Sequence, residues 1–83
     1  MKRDRAGWGL VWRSDNRLNG RTRYLIWDCG RPLLFNTRWE ARHYRDEVYG
    51  YIRSRPDLQA EPHGWKIPAV VRATVTFETE EEV

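Results

Sequence analysis

Cysteine occurs once, at Cys29, so no intramolecular disulfide can form and a reducing compartment is expected. Lysine is nearly missing as well: of fifteen basic residues, all but Lys2 and Lys66 are arginine. No apolar run is long enough to cross a bilayer and no signal-type apolar segment follows Met1, which argues against a membrane protein and for the cytoplasm. A glycine-rich phosphate loop is absent, because Gly7 and Gly9 precede no expected helix. Neither His43 nor His63 has carboxylates or cysteines spaced as a metal set or a catalytic triad requires, and Cys29 lies in a turn with no base paired to it by spacing. The expectation is a non-enzymatic protein without metal or cofactor.

What the chain does contain is arginine and aromatic rings. Its 83 residues suffice for one small domain, and five Trp, four Tyr and two Phe supply apolar area for a core that length alone makes marginal. Fifteen basic against twelve acidic residues give a net charge of +3. Arginine carries a planar fork of donors that fits phosphate and carboxylate and stacks on rings, so its dominance over lysine suggests recognition. A GC-rich coding bias would produce the same preference, and the sequence does not separate the two. Glu78, Glu80, Glu81 and Glu82 crowd into an acidic tail over 79–83 and its preceding residue, leaving the body more basic than the net charge.

One segment has a sustained helical period, Thr37 to Arg53. Thr37 and Glu40 form a capping box that marks its start. Ala41, Tyr44, Val48, Tyr51 and Ile52 share a stripe that should be buried, with Arg38, Arg42, Arg45, Tyr49 and Arg53 along one flank and Glu40 and Glu47 along the other. Before the helix, residues 1–6 read as a frayed basic arm. Gly7 to Ser14 alternate as a strand with Trp8, Leu10 and Trp12 on one face, and Asn19-Gly20 should turn the chain into a second strand over Arg21 to Trp27. A turn at 28–32 leads to a short third strand, Leu33 to Phe35. After the helix, Ser54 to Pro68 carries three prolines and no period, an ordered Ω-like loop that Leu58 and Trp65 would pin down. Ala69 to Glu78 alternates cleanly, with Val71, Ala73, Val75 and Phe77 inward and Arg72, Thr74, Thr76 and Glu78 outward.

The order β-β-β-α-loop-β predicts an α+β fold in two layers: an antiparallel sheet of three to four strands with one helix on one face. The other face would carry Arg13, Arg72, Thr74 and Thr76, joined by Arg21, Arg23 and Trp27. With Arg38, Arg42, Arg45, Tyr49 and Arg53 these form the candidate binding surface. Arg38 and Arg45 have no acidic residue three or four positions away, so local pairing does not explain the flank. Either a partner supplies the anions, or Glu61, Asp57 or the tail does so across the fold. Arginines interleaved with Trp and Tyr are what phosphate contact and base stacking need.

Phe35-Asn36-Thr37-Arg38-Trp39-Glu40-Ala41, preceded by hairpin-like strands, resembles the strand-to-helix step in the arm-binding domains of phage-type tyrosine recombinases. The resemblance spans roughly Arg21 to Tyr51 and implies a three-stranded sheet laid on DNA and backed by one helix. The Pro-rich loop and the extra strand depart from that pattern, and recombinase activity is not implied. The segments W-R-S-D-N-R-L-N-G and R-P-D-L-Q-A-E-P-H-G-W resemble small phage and prophage proteins, which implies an accessory or host-antagonist role, anti-CRISPR activity included. The leading expectation is a nucleic-acid-binding domain. The alternative is an inhibitor that docks on a host nucleic-acid-handling protein, with the arginines as hot spots and the acidic tail as a phosphate mimic. A free edge strand would also allow a symmetric homodimer.

Overall fold

A computed structural model describes residues 2–78. Met1 and the acidic tail over 79–83 lie outside the described residues, as do the side chains of Lys2, Arg3, Phe77 and Glu78. The fold is α+β, a three-stranded antiparallel sheet and a second small sheet with a helix packed against it. Strand β1 spans Lys2–Asn16 and turns at Arg17–Asn19, where the Asn16 side chain accepts the Asn19 N–H at 2.7 Å, into β2, Gly20–Leu25. Trp27–Asp28 (β3) and Arg31–Pro32 (β4) make a minimal hairpin. Helix α1 is Arg38–Tyr49, followed by a 3-10 turn over Gly50–Ser54, a single helical turn α2 at Pro56–Gln59, and β5, Trp65–Glu78. The sheet order is β2-β1-β5, so β1 is central and β5 has an outer edge without a partner strand among the described residues.

Several expectations are corrected. Residues 2–6 are not frayed; they pair with Thr74–Glu78 and extend β1·β5 into a two-stranded ribbon. Leu33–Phe35 is a single bridge rather than a third strand: Trp8 and Phe35 exchange two backbone hydrogen bonds of 2.8 Å. That approach depends on the flat backbone at Gly7, where an added Cβ would sit 2.8 Å from the Phe35 carbonyl oxygen. The Pro-rich segment 54–68 is not one loop, since 3-10 turn, α2 and the start of β5 occupy most of it, with Trp65 inside the strand.

The helix begins where the cap predicts. The Glu40 N–H donates to the Thr37 hydroxyl at 3.1 Å, and that hydroxyl in turn lies 3.2 Å from the Glu40 carboxylate. Its buried stripe is narrower than expected: Ala41 and Ile52 are buried and Tyr44 half-buried, but Val48 and Tyr51 are exposed, and Tyr49 takes the inward position instead. The switch to 3-10 geometry at Gly50 accounts for Tyr51, because its tighter winding rotates the following residues relative to an α-helical projection, whereas Tyr49, still within α1, packs against Trp12 and Val48 beside it is left outward.

Residues directly opposite in an antiparallel ladder share a face. Leu10 pairs with Val70 and Trp8 with Arg72, and Leu10, Ile26 and Ala41 form the buried cluster, with Trp8, Trp12, Phe35, Tyr44, Tyr49 and Val70 around it. The helix side of β5 is therefore Val70, Arg72 and Thr74. Val71, Ala73 and Val75 are the less exposed set, as the alternation implies, but they face away from the helix. They share that side with Leu25 and Leu34, all half-buried, so the middle of the uncovered sheet face is apolar, while Arg5, opposite Val75, and Arg13, Arg21 and Arg23, on the Leu25 side of the β1–β2 ladder, lie toward the two ends of that face. Arg72, Thr74 and Thr76 do not lie on it.

Candidate nucleic-acid interface

Trp8 projects from β1 toward the first turn of α1, and two guanidinium groups lie over its ring: Arg38 at 5.8 Å from the centroid, from the helix, and Arg72 at 5.3 Å, from the cross-strand partner position. Cation–π attraction places both cations although they repel each other. Among the described residues no carboxylate lies within ion-pair distance of either. Arg42, one turn along α1, is exposed and also lacks an ion-pair partner in that set. Beside it Trp39 is 68% exposed and stacks on His43 with ring centroids 4.9 Å apart and 8° between planes. His43 in turn meets Glu47 at 3.0 Å.

Farther along the flank the charge is met internally. Arg45 Nε lies 3.0 Å and Arg53 Nη1 3.2 Å from the same oxygen of Asp46. The hydrogen bond from Arg45, helped by the charge of Arg53, holds the Asp46 carboxyl below its usual pKa. The expectation that local pairing does not explain the flank thus holds for Arg38 and fails for Arg45. Neither Glu61 nor Asp57 serves the flank: Glu61 accepts the Arg17 backbone N–H at 3.2 Å, and Asp57 pairs with Arg55 at 2.7 Å.

Arg13, Arg21 and Arg23 share one side of the sheet, since Arg13 pairs with Arg23 and Asp15 with Arg21. Asp15 bridges Arg23 at 3.0 Å and Lys66 at 2.8 Å, and the hydrogen bonds from these two cations lower its pKa to about 2. Arg13 reaches across β5 to donate from Nε to the Ile67 carbonyl at 3.0 Å, and with Arg53 and Lys66 it edges a cavity of about 380 Å³ floored by Ile52 and Trp65. Arg13 and Arg53, far apart in sequence, are thereby brought together. Trp27 and Tyr49 are not part of the arginine surface. Ile26 separates Trp27 from β2, and both rings line an aromatic cleft at the C-terminal end of α1.

The row thus runs from Arg72 and Arg38, through Arg42 and Arg45, to Arg53, Arg13 and Lys66, with residues of β5 at both ends. Trp39 and Lys66 were not among the site residues read from sequence, and Trp8 was read only as part of a strand face. Trp8 and Arg72 meet only through strand register, and Asp46 serves partners one and seven positions away, outside the usual helical spacings. Among the described residues, no group of three or more His, Cys, Asp or Glu side chains is placed to hold a metal ion, and no helix is long and apolar enough to cross a membrane. No protein-family model matches the chain, and no curated protein or solved structure is detectably similar to it.

Proposed function

We propose that the protein binds nucleic acid along the margin between α1 and β5, with Arg38, Arg42 and Arg72 on phosphates and Trp39 available for stacking. The observation that carries this reading is the pair of guanidinium groups held over Trp8 with no carboxylate partner among the described residues. Two cations on one ring with no carboxylate among the described residues paired to either leave their charge to an external anion, and phosphate suits the arginine fork. From Arg38 to Tyr49 the helical rise is about 17 Å, roughly five base steps of duplex at 3.4 Å each. The surface differs from the arrangement that the recombinase resemblance implies: it lies at the helix margin, whereas the middle of the open sheet face is apolar and the Arg23 charge at its end is met by Asp15. A small phage accessory protein is the setting in which the sequence resemblances would put such a binder, and the exposed free thiol of Cys29 accords with a reducing compartment.

Titration of labelled duplex and single strand at several salt concentrations tests the proposal. Log affinity should fall linearly with log salt, and Arg38→Ala, Arg42→Ala and Arg72→Ala should each flatten the duplex slope by about 0.9. Arg45→Ala and Arg53→Ala should flatten it much less, because Asp46 already meets their charge. Absence of binding at low salt would overturn the reading and leave docking on an acidic protein surface as the better account.

A further inference from the structure

The aromatic cleft at the other end of α1 differs chemically from everything around it. It measures about 460 Å³ and its walls include Trp12, Tyr24, Trp27, Tyr49, Tyr51 and Trp65. Trp12 sits at its centre, 6.4 Å from Tyr24 in a stacked arrangement at 30°, 6.1 Å from Tyr49 at 57°, and 5.4 Å from Trp65 edge-on at 73°. This is not a closed core: Tyr24, Trp27 and Tyr51 are 55%, 60% and 47% exposed. Rings remain in water here while the fully buried apolar side chains elsewhere are few. Exposed aromatic surface gathered in one concavity is a feature of binding sites.

The charge of the cleft indicates what it would bind. In a chain with fifteen Lys and Arg, none lines it. Burial, then the nearby phenols of Tyr44, Tyr24 and Tyr51, then the Asp28 carboxylate, all push the Tyr49 pKa up. Asp28 itself faces the neighbouring cavity, which Arg5 and Arg31 also line, so the rings and phenol oxygens rather than the carboxylate dominate the cleft. A phosphate or carboxylate would meet π faces and no donor of positive charge. A cation would meet the negative faces of several rings at once.

We infer that this cleft is a binding site for an alkylated ammonium group, a quaternary ammonium in the first instance, held by Trp12, Tyr24, Trp27 and Tyr49. The inference is independent of the nucleic-acid reading, since it uses none of Arg38, Arg42 or Arg72. The group could arrive as free choline, as a phosphocholine headgroup or as a trimethylated lysine side chain, and all three present the same trimethylammonium.

The test is a titration of the full chain followed by NMR of the tryptophan indole N–H groups, with choline and with its neutral carbon isostere 3,3-dimethylbutan-1-ol. Choline should saturate and shift the signals of the cleft tryptophans, with the isostere at least tenfold weaker. Trp27→Ala, a change at an exposed ring, should weaken choline at least fivefold while the dispersion of the remaining signals shows the fold intact. Trp39→Ala, at the exposed ring outside the cleft, should leave choline affinity unchanged. Glycerophosphocholine and a trimethyllysine peptide, compared with choline, then identify the carrier by which of the three binds tightest. Equal affinity for choline and the isostere would overturn the inference in favour of an apolar cleft. So would tighter binding of adenosine than of choline, or no saturation by choline at 100 mM.

Discussion

At the scale of single residues, Asp15 joins the two edges of the sheet, because its carboxylate holds Arg23 of β2 and Lys66 of β5 at once. Its pKa falls from the ordinary 3.8 to about 2 in the folded chain. A carboxyl with a depressed folded pKa contributes stability above its unfolded value and loses it as pH falls through the folded one. Asp15→Asn should therefore lower the thermal midpoint at neutral pH, and the gap between variant and parent should close between about pH 4 and about pH 2. A gap independent of pH over that range would show that the carboxylate charge is not what Asp15 contributes. Directly behind it, Gly64 adopts φ +61 and accepts the Asp15 N–H at 2.8 Å, with its Cα so close that an added Cβ would overlap the Asp15 carbonyl oxygen. Left-handed strain and steric overlap act together in Gly64→Ala, which should cost about 3 kcal/mol in urea unfolding. A loss below about 0.5 kcal/mol would mean that the two backbones separate freely.

At the scale of elements, α1 shows which features of a sequence can be read without the fold. The Thr37 cap involves residues three apart and was legible; Thr37→Ala should cost about 1 kcal/mol, read as a lower urea midpoint at unchanged slope. The far end was less legible. Whether Gly50 continues the α-helix or tightens it depends on the burial of Ile52, and that choice left Tyr51 exposed, while the inward place of Tyr49 depends on Trp12 of a distant strand. Gly50 lies at φ −59 with nothing within 4 Å of an added Cβ, so Gly50→Ala should raise stability by about 0.5–1 kcal/mol. A fall in the midpoint would show that the chain at this junction needs a glycine. For β5 the alternation was correct and the facing was not. A period of two separates Val71, Ala73 and Val75 from Arg72 and Thr74, but it carries no information about which set meets the helix when Val70 serves that side as well. The candidate site was legible in part for a related reason: Arg38, Arg42 and Arg72 were all read from the sequence, but Arg72 on the face away from the helix, whereas it and Lys66 join the helix residues through strand register, and the bulge between Val11 and Arg13 shifts that register midway.

At the scale of the whole molecule, the described chain is long and thin, 52 × 30 × 19 Å, because β1 and β5 form a ribbon that outruns the helix packed on it. One central strand carries both ladders of the sheet: β2 lies on one side of it and β5 on the other. The β2 ladder closes locally through a short turn. The β5 ladder joins positions from 51 residues apart, Ser14 and Trp65, to 76 apart, Lys2 and Glu78.

That second ladder has a consequence in time. A strand whose partner lies so far along the chain must wait for it, and at roughly 5–20 residues per second the ribosome takes about 3–10 s to make the intervening segment. Until then the β1–β2 hairpin has one unpaired edge and the apolar face of α1 has only part of its seat. Folding after release should be slow for a domain of this size, in the millisecond-to-second range set by distant pairings. In stalled nascent chains, resistance to protease should appear only once β5 has cleared the exit tunnel. Resistance in chains that end near Gln59 would show that hairpin and helix fold without the ribbon.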